Sequence, residues 1–233
     1  MLRHLRSGRP VYALQAKGLS GEGELPGSVA DVAADCLVMI RSVQPEGPYQ
    51  LLGWSFGGLV AHEVAVRLED AGEEVGSLTL LDSFPKPGAD RAGGRDVMEQ
   101  RDFLAGMLDL AGYDPIAVAD AAEDPERVAE LLGRQGGVLA GLDAQRVSAL
   151  HRVFENNARL AAAHVPGEFR GDALLFVATE GKADGAPDAL AWRPHIAGEI
   201  ARHPVAARHD DLTNAEPIAE IGRILAQRLR END

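Results

Sequence analysis

A single cysteine, Cys36, stands in the 233 residues, which excludes an internal disulfide and a cysteine-rich zinc site. Basic residues are also in short supply: 23 Lys and Arg against 36 Asp and Glu give a formal net charge of −13. That balance argues against nucleic acid or an anionic membrane as the main partner and serves solubility. No stretch approaches the ~20 consecutive apolar residues needed to span a bilayer. The first ten residues carry charge with no apolar run behind them, unlike a secretory leader, so the expected location is the cytoplasm. The sequence has no internal repeat and no long low-complexity tract. Cys36 shares an apolar stripe with Val29, Val32, Met39 and Val43 of an expected helix, which reads as a packed thiol, not a nucleophile.

The remainder is ordinary for a soluble globular protein, with 45% hydrophobic and 25% charged residues. The length suits one domain with an insertion, or two small domains. Short apolar runs at residues 11–14, 49–52, 78–81, 173–178 and 199–206 read as strands. They alternate with helical patterns at 29–43, 59–71 and 215–229, which predicts an α/β fold, a mostly parallel sheet with helices on both faces. Ser28 is placed to cap the first helix, with Asp31 three residues on. The stretch 87–166 has no strand pattern and three helical ones, at 95–110, 125–132 and 144–164. Asp124 and Asp143 stand at the caps of the latter two, and Pro125 takes a first helical position. Residues 117–122 read as a loop or frayed helix. The expected division is therefore a core of residues 1–86 and 167–233 with a helical lid inserted at 87–166.

Gly53, Trp54, Ser55, Phe56 and Gly57 form a G-x-S-x-G sequence between an apolar run and an amphipathic helix. In that setting the motif predicts a nucleophile elbow, a sharp strand-to-helix turn that exposes the serine hydroxyl. Side chains at Gly53 and Gly57 are expected to collide with neighbouring backbone. A serine needs a base, and the base needs an orienting carboxylate. Of seven histidines, His209 follows the last expected strand in a polar loop, where α/β sheets place their chemistry. His62 lies on the packed face of the post-elbow helix, His151 and His164 in the insertion, His195 and His203 around the last strand, and His4 near the terminus. Asp82 directly follows the strand at 78–81, where a carboxylate needs a specific partner. Asp210 and Asp211 adjoin His209 too closely to turn back onto its ring. The order Ser55, Asp82, His209 is that of α/β-hydrolases.

Residues 53–61, 80–85 and 209–213 resemble the terminal (type I) thioesterase domain of nonribosomal peptide synthetases, in the α/β-hydrolase superfamily. Residues 10–19, Trp192 to Pro194 and Gly198 to Ile200 resemble it too, so the likeness covers nearly the whole chain and is weakest in the insertion. Trp54 before the serine resembles the synthetase-integrated type; stand-alone editing and fatty-acid thioesterases more often carry histidine there. The resemblance implies a Ser55, Asp82, His209 triad, with the Phe56 N–H in the oxyanion hole. The implied substrate is an acyl or peptidyl thioester on the phosphopantetheine arm of a carrier domain, in the same megasynthase. Release would be by hydrolysis or macrocyclisation through an acyl-Ser55 ester, with no bound cofactor and no metal. Trp54, Phe103, Met107 and Phe154 are candidate substrate-lining residues. The last three belong to an apolar face with Leu104, Leu108, Val147 and Leu150, whose alternative reading is plain helix packing. Trp192 reads as structural.

Members of that family begin with a strand, a His-Pro-x-x-Gly-like loop that supplies the second oxyanion donor, and a helix. Residues 1–7 resemble only the tail of that helix, so an N-terminally truncated fold is expected. Two further readings stay open: a stand-alone editing thioesterase or esterase, and a truncated, non-catalytic domain that binds acyl groups or docks to a carrier.

Overall fold

The computed structural model describes residues 8–21, 23–86, 99–114, 116–137, 139–182 and 188–231. Residues 1–7, likened above to a helix tail, and the start of the helix expected at 95–110 lie outside them. In chain order the main elements are α1 (Val29–Val43), β1 (Tyr49–Trp54), α2 (Phe56–Asp70), β2 (Val75–Leu81), α3 (Gln100–Leu110), α4 (Pro125–Gln135), α5 (Ala144–Ala163), β3 (Ala173–Ala178), β4 (Ile200–Val205) and α6 (Ala215–Glu231). They fall into two compact units. One comprises Met1–Leu14, Ser28–Arg91 and Ala163–Asp233; the other comprises Gln15–Gly27 and Ala92–Ala162.

The first unit is built on a four-stranded sheet in the order β1-β2-β3-β4. All three pairings are parallel. Parallel neighbours need crossover connections, and helices supply cover for the sheet faces. All six residues of β3 are buried, as a continuous apolar run in a central strand requires. On one face, Leu174 and Phe176 pack with Leu81 and Val205 against Ile218, Ile221 and Leu225 of α6. The helix α2 packs on β1 and β2 and against α1. The first turn of α1 is set by Ser28, whose Oγ accepts the Asp31 N–H at 3.0 Å and donates to the Asp31 carboxylate at 2.8 Å.

The strand expected at residues 11–14 does not form. That segment is irregular, and Val11 and Tyr12 are 47% and 59% exposed. A strand is held by its ladder, and among the described residues no strand pairs with the outer edge of β1. Apolar pattern alone does not supply the missing hydrogen bonds.

The second unit packs α3, α4 and α5 around Leu104, Leu108, Val128, Leu132 and Val147. Asp124 caps α4 by accepting the Glu126 N–H at 2.9 Å, with Pro125 in the first turn. Asp143 Oδ1 accepts the Arg146 N–H at 2.8 Å ahead of α5. Ala121 and Ala122 enter the same core from a short 3-10 turn. The loop at 15–27 is tied to α5: Asn156 Nδ2 donates to the Pro26 carbonyl at 3.1 Å and Arg152 to the Gly21 carbonyl at 3.0 Å.

Candidate active site

The parallel ladder runs past the strand ends and sets the exits side by side. Ser55 N–H donates to the Leu81 carbonyl at 3.1 Å, and Asp82 N–H to the Phe176 carbonyl at 2.8 Å. Thr179 N–H reaches Val205 O at 3.0 Å, and Glu180 N–H reaches Ala207 O at 3.1 Å. Each carboxyl end thus delivers one polar side chain to the same edge of the sheet: β1 leads to Ser55, β2 to Asp82, β3 to Lys182 and β4 to His209. This is the edge at which open α/β sheets bind their ligands.

Ser55 (φ 54°) and Asp82 (φ 42°) are the two non-glycine residues with positive φ among the described residues. Such a backbone costs on the order of 1–3 kcal/mol and persists where the surroundings over-determine it; here the two ladder bonds do so. Ser55 is the N-cap of α2, and its carbonyl accepts the Gly58 N–H at 3.0 Å. Phe56 opens the helix, so its N–H is one of the first four amides, which have no acceptor within the helix.

The glycines around the serine divide differently from expectation. A Cβ at Gly53 would run into the Gly57 carbonyl, and one at Gly58 into the Ser83 side chain. A Cβ at Gly57 would meet nothing within 4 Å. The steric demand therefore falls on Gly53 and Gly58, because Gly57 lies on the open side of the first turn.

Asp82 is 7% exposed and its two oxygens have separate partners. Oδ2 accepts from His209 Nδ1 at 2.8 Å. Oδ1 accepts the Ala178 N–H and the Lys182 ammonium, each at 3.0 Å. A carboxylate only accepts, so Nδ1 of His209 carries the proton and Nε2 of the neutral ring keeps its lone pair. Burial works to raise the pKa of Asp82. The hydrogen bonds from His209 and Lys182, the Lys182 charge and the Ala178 N–H outweigh it and hold the carboxyl below its ordinary range. Trp54, the residue before Ser55, stacks on the His209 ring with centroids 5.4 Å apart. Asp210 and Asp211 instead begin a 3-10 turn, where Asp211 accepts from Asn214 Nδ2 at 3.0 Å.

Ser55, Trp54, Phe56, Asp82 and His209 all belong to the first unit, whereas Phe103, Met107 and Phe154 belong to the second. There Met107 is buried in the helical core, and the Phe103 ring lies 5.2 Å from that of Phe154, which is 39% exposed. His62 is fully buried and bonded through Nε2 to the His195 carbonyl at 2.9 Å. Trp192, also fully buried, donates its indole N–H to the Ser83 carbonyl at 2.7 Å. Burial, with Asp35 second, pushes the Cys36 thiol up, away from thiolate reactivity. Lys182 escaped the sequence reading. Its one signal is position: it is the only basic residue between Arg170 and Arg193, and it closely follows a wholly apolar strand.

Solved structures share this architecture. The chain aligns over 97% of its length with part of a four-domain nonribosomal peptide synthetase determined with AMP and glycine, at a TM-score of 0.77 and 19% identity, covering 18% of that chain. It also aligns over 94% of its length with the NocB thioesterase domain in covalent complex with a fluorophosphonate nocardicin G analogue, at a TM-score of 0.61 and 25% identity, covering 80% of that chain. The fold is that of an α/β-hydrolase. The family model described as thioesterase domain matches residues 2–227, and the chain belongs to that family. A dimodular nonribosomal peptide synthase of Bacillus subtilis (strain 168) is 37% identical over 234 residues, which cover 99% of this chain and 10% of that protein. The chain thus spans a small fraction of the curated relatives it matches. Among the described residues no helix is long and apolar enough to cross a membrane.

Proposed function

We propose that the chain is a serine thioesterase that releases an acyl or peptidyl chain from the phosphopantetheine arm of a carrier domain, through an acyl-Ser55 ester. The observation that carries this reading is the 2.8 Å bond between Asp82 and His209 Nδ1, beside the turn that holds Ser55. It leaves Nε2 as the base. His209 Nε2 takes the Ser55 proton as Oγ attacks the thioester carbonyl, and Asp82 stabilises the imidazolium that forms. The Phe56 N–H donates to the developing oxyanion. The C–S bond breaks, and His209 returns the proton to the departing thiol. Water, or a hydroxyl or amine of the bound chain, then attacks the ester with His209 again as base. The acid or the macrocycle leaves, and Ser55 regains its proton. The matched relatives are multidomain synthetases, which supports a carrier domain of the same polypeptide as the partner.

The test is labelling with a fluorophosphonate probe, paired with turnover of an acyl N-acetylcysteamine thioester. Ser55 is the expected site of a single covalent adduct, absent in Ser55→Ala, and the thioester is expected to be hydrolysed. Equal labelling of Ser55→Ala would sink the nucleophile assignment. Labelling of Ser55 without thioester turnover, but with turnover of oxygen esters, would favour a general esterase.

A further inference from the structure

Lys182 lies outside the triad and yet is bonded to it. Its ammonium sits 3.0 Å from Asp82 Oδ1, and its side chain is 27% exposed against 5% for that of Asp82. The same ammonium stands over the Phe84 ring, 4.7 Å from the centroid. Lys182 is therefore held from two sides by the segment leaving β2, by a charge at Asp82 and by an aromatic face two residues on. Behind it, Gly181 turns the chain with φ +69°, and the Arg208 side chain packs against that glycine. The contact spans 100 residues of sequence, so it is a product of the fold and not of local chain geometry.

The arrangement has a consequence for the carboxylate. Asp82 could offer either oxygen to His209, and a buried carboxylate carrying its full charge against one ring is costly. The Ala178 N–H and Lys182 both occupy Oδ1. Only Oδ2 remains for the imidazole. We infer that Lys182 is a positioning residue for the reaction: it pins Oδ1 of Asp82 and offsets the carboxylate charge, so that Oδ2 holds His209 in one orientation. This inference rests on the serine-hydrolase reading for its catalytic consequence, but its physical core, the coupling of Lys182 to Asp82, does not.

Among the described residues the charged groups around the carboxylate are few. Lys182 faces it from the exit of β3, and His209 from the exit of β4, flanked by Arg208, Asp210 and Asp211. From the β1 exit and the first turn of α2 the neighbours are Trp54, Ser55, Phe56, Gly57 and Gly58, none of them charged. Among the described residues, Lys182 is thus the one fixed cation bonded to Asp82 besides what His209 contributes when protonated.

The experiment compares wild type, Lys182→Met and Lys182→Arg by two readouts. The first follows the Asp82 side-chain carboxyl carbon by ¹³C NMR through acid pH, with no substrate present. Loss of the cation is expected to raise its midpoint in Lys182→Met, and Lys182→Arg is expected to restore most of that shift. The second is the pH dependence of fluorophosphonate labelling. With that cation gone, the acid limb of labelling should move to higher pH in Lys182→Met and return in Lys182→Arg. A merely structural lysine would lower the labelling rate at every pH without moving the limb, and that result would overturn the inference. So would an Asp82 midpoint unchanged in Lys182→Met. Because the carboxyl titration needs no turnover, it still decides the coupling if Ser55 proves not to be a nucleophile.

Discussion

The indole of Trp54 lies on the imidazole of His209, with ring centroids 5.4 Å apart and planes 28° from parallel. The residue before the serine is thereby a wall for the base, not only a candidate wall for the acyl chain. In the proposed reaction His209 takes the serine proton and the indole face meets a cation; such contacts contribute about 0.5–1 kcal/mol at exposed sites. The contact strengthens as charge develops, so its loss should appear in the rate of acylation and not in folding stability. Trp54→Leu is expected to slow fluorophosphonate labelling roughly two- to fivefold, and Trp54→Phe to slow it less. Labelling rates at saturating probe check this. Equal rates for wild type and Trp54→Leu would remove Trp54 from the base.

The two glycines that follow Phe56 should respond in different ways. Gly57 lies in the first turn of α2 with open space where a Cβ would go. Gly57→Ala is expected to leave stability unchanged or raise it by up to about 1 kcal/mol, the ordinary gain of alanine over glycine in a helix. A Cβ at Gly58 would press into Ser83, whose neighbour is Asp82. Gly58→Ala is expected to destabilise by about 1–3 kcal/mol, as overpacking does, and Ser83→Gly should recover part of the loss. Midpoints of urea unfolding for the single and double variants decide between these outcomes.

The elbow was legible because everything it needs is local: the apolar run of β1, two glycines, the serine and the helix follow one another within about twenty residues. Helix caps at Ser28, Asp124 and Asp143 were legible for the same reason. The pairing of Asp82 with His209, 127 residues apart, was within reach only because the α/β-hydrolase order of elements constrains which strand exits become neighbours. Lys182 had no such rule to point to it. Its bond to Asp82 depends on how β3 leaves the sheet, and sequence spacing carries no trace of that. The steric role passed from Gly57 to Gly58 because it depends on where Ser83 packs. Residues 11–14 show the opposite failure, since a strand-like pattern is not a strand without a ladder to join.

Trp192 connects a buried aromatic to the acid. Its indole N–H donates to the Ser83 carbonyl at 2.7 Å, one residue after Asp82, and the ring packs 4.7 Å from that of His62. Trp192→Phe keeps most of the packing but leaves a buried carbonyl without its donor, which costs about 1–3 kcal/mol. The expected result is a lower urea midpoint together with slower labelling at Ser55, because Asp82 loses the anchor of the peptide that follows it. A fall in stability with an unchanged labelling rate in the folded protein would limit Trp192 to packing.

His62 should make folding stability pH-dependent. It is fully buried, and burial, opposed by the hydrogen bond to the His195 carbonyl and aided by the nearby His195 and His164, lowers its pKa from 6.5 to about 4. Above pH 6.5 the ring is neutral in both the folded and the unfolded chain, and its full contribution is present. Between pH 6.5 and about 4, the unfolded chain binds a proton that the folded one refuses, so stability falls as the pH falls. From pH 7 to pH 5 the loss attributable to His62 is about 2 kcal/mol. His62→Gln retains an N–H for the His195 carbonyl but cannot take up the proton. Over that range its unfolding free energy should therefore fall less than that of wild type by the same amount. Asp82 acts in a lower window: its depressed pKa stabilises the fold above about pH 3.8, and that contribution is lost as the pH falls further. Urea unfolding of wild type and His62→Gln at pH 7, 6 and 5 separates the two, and parallel curves would show that His62 takes up a proton equally in both states.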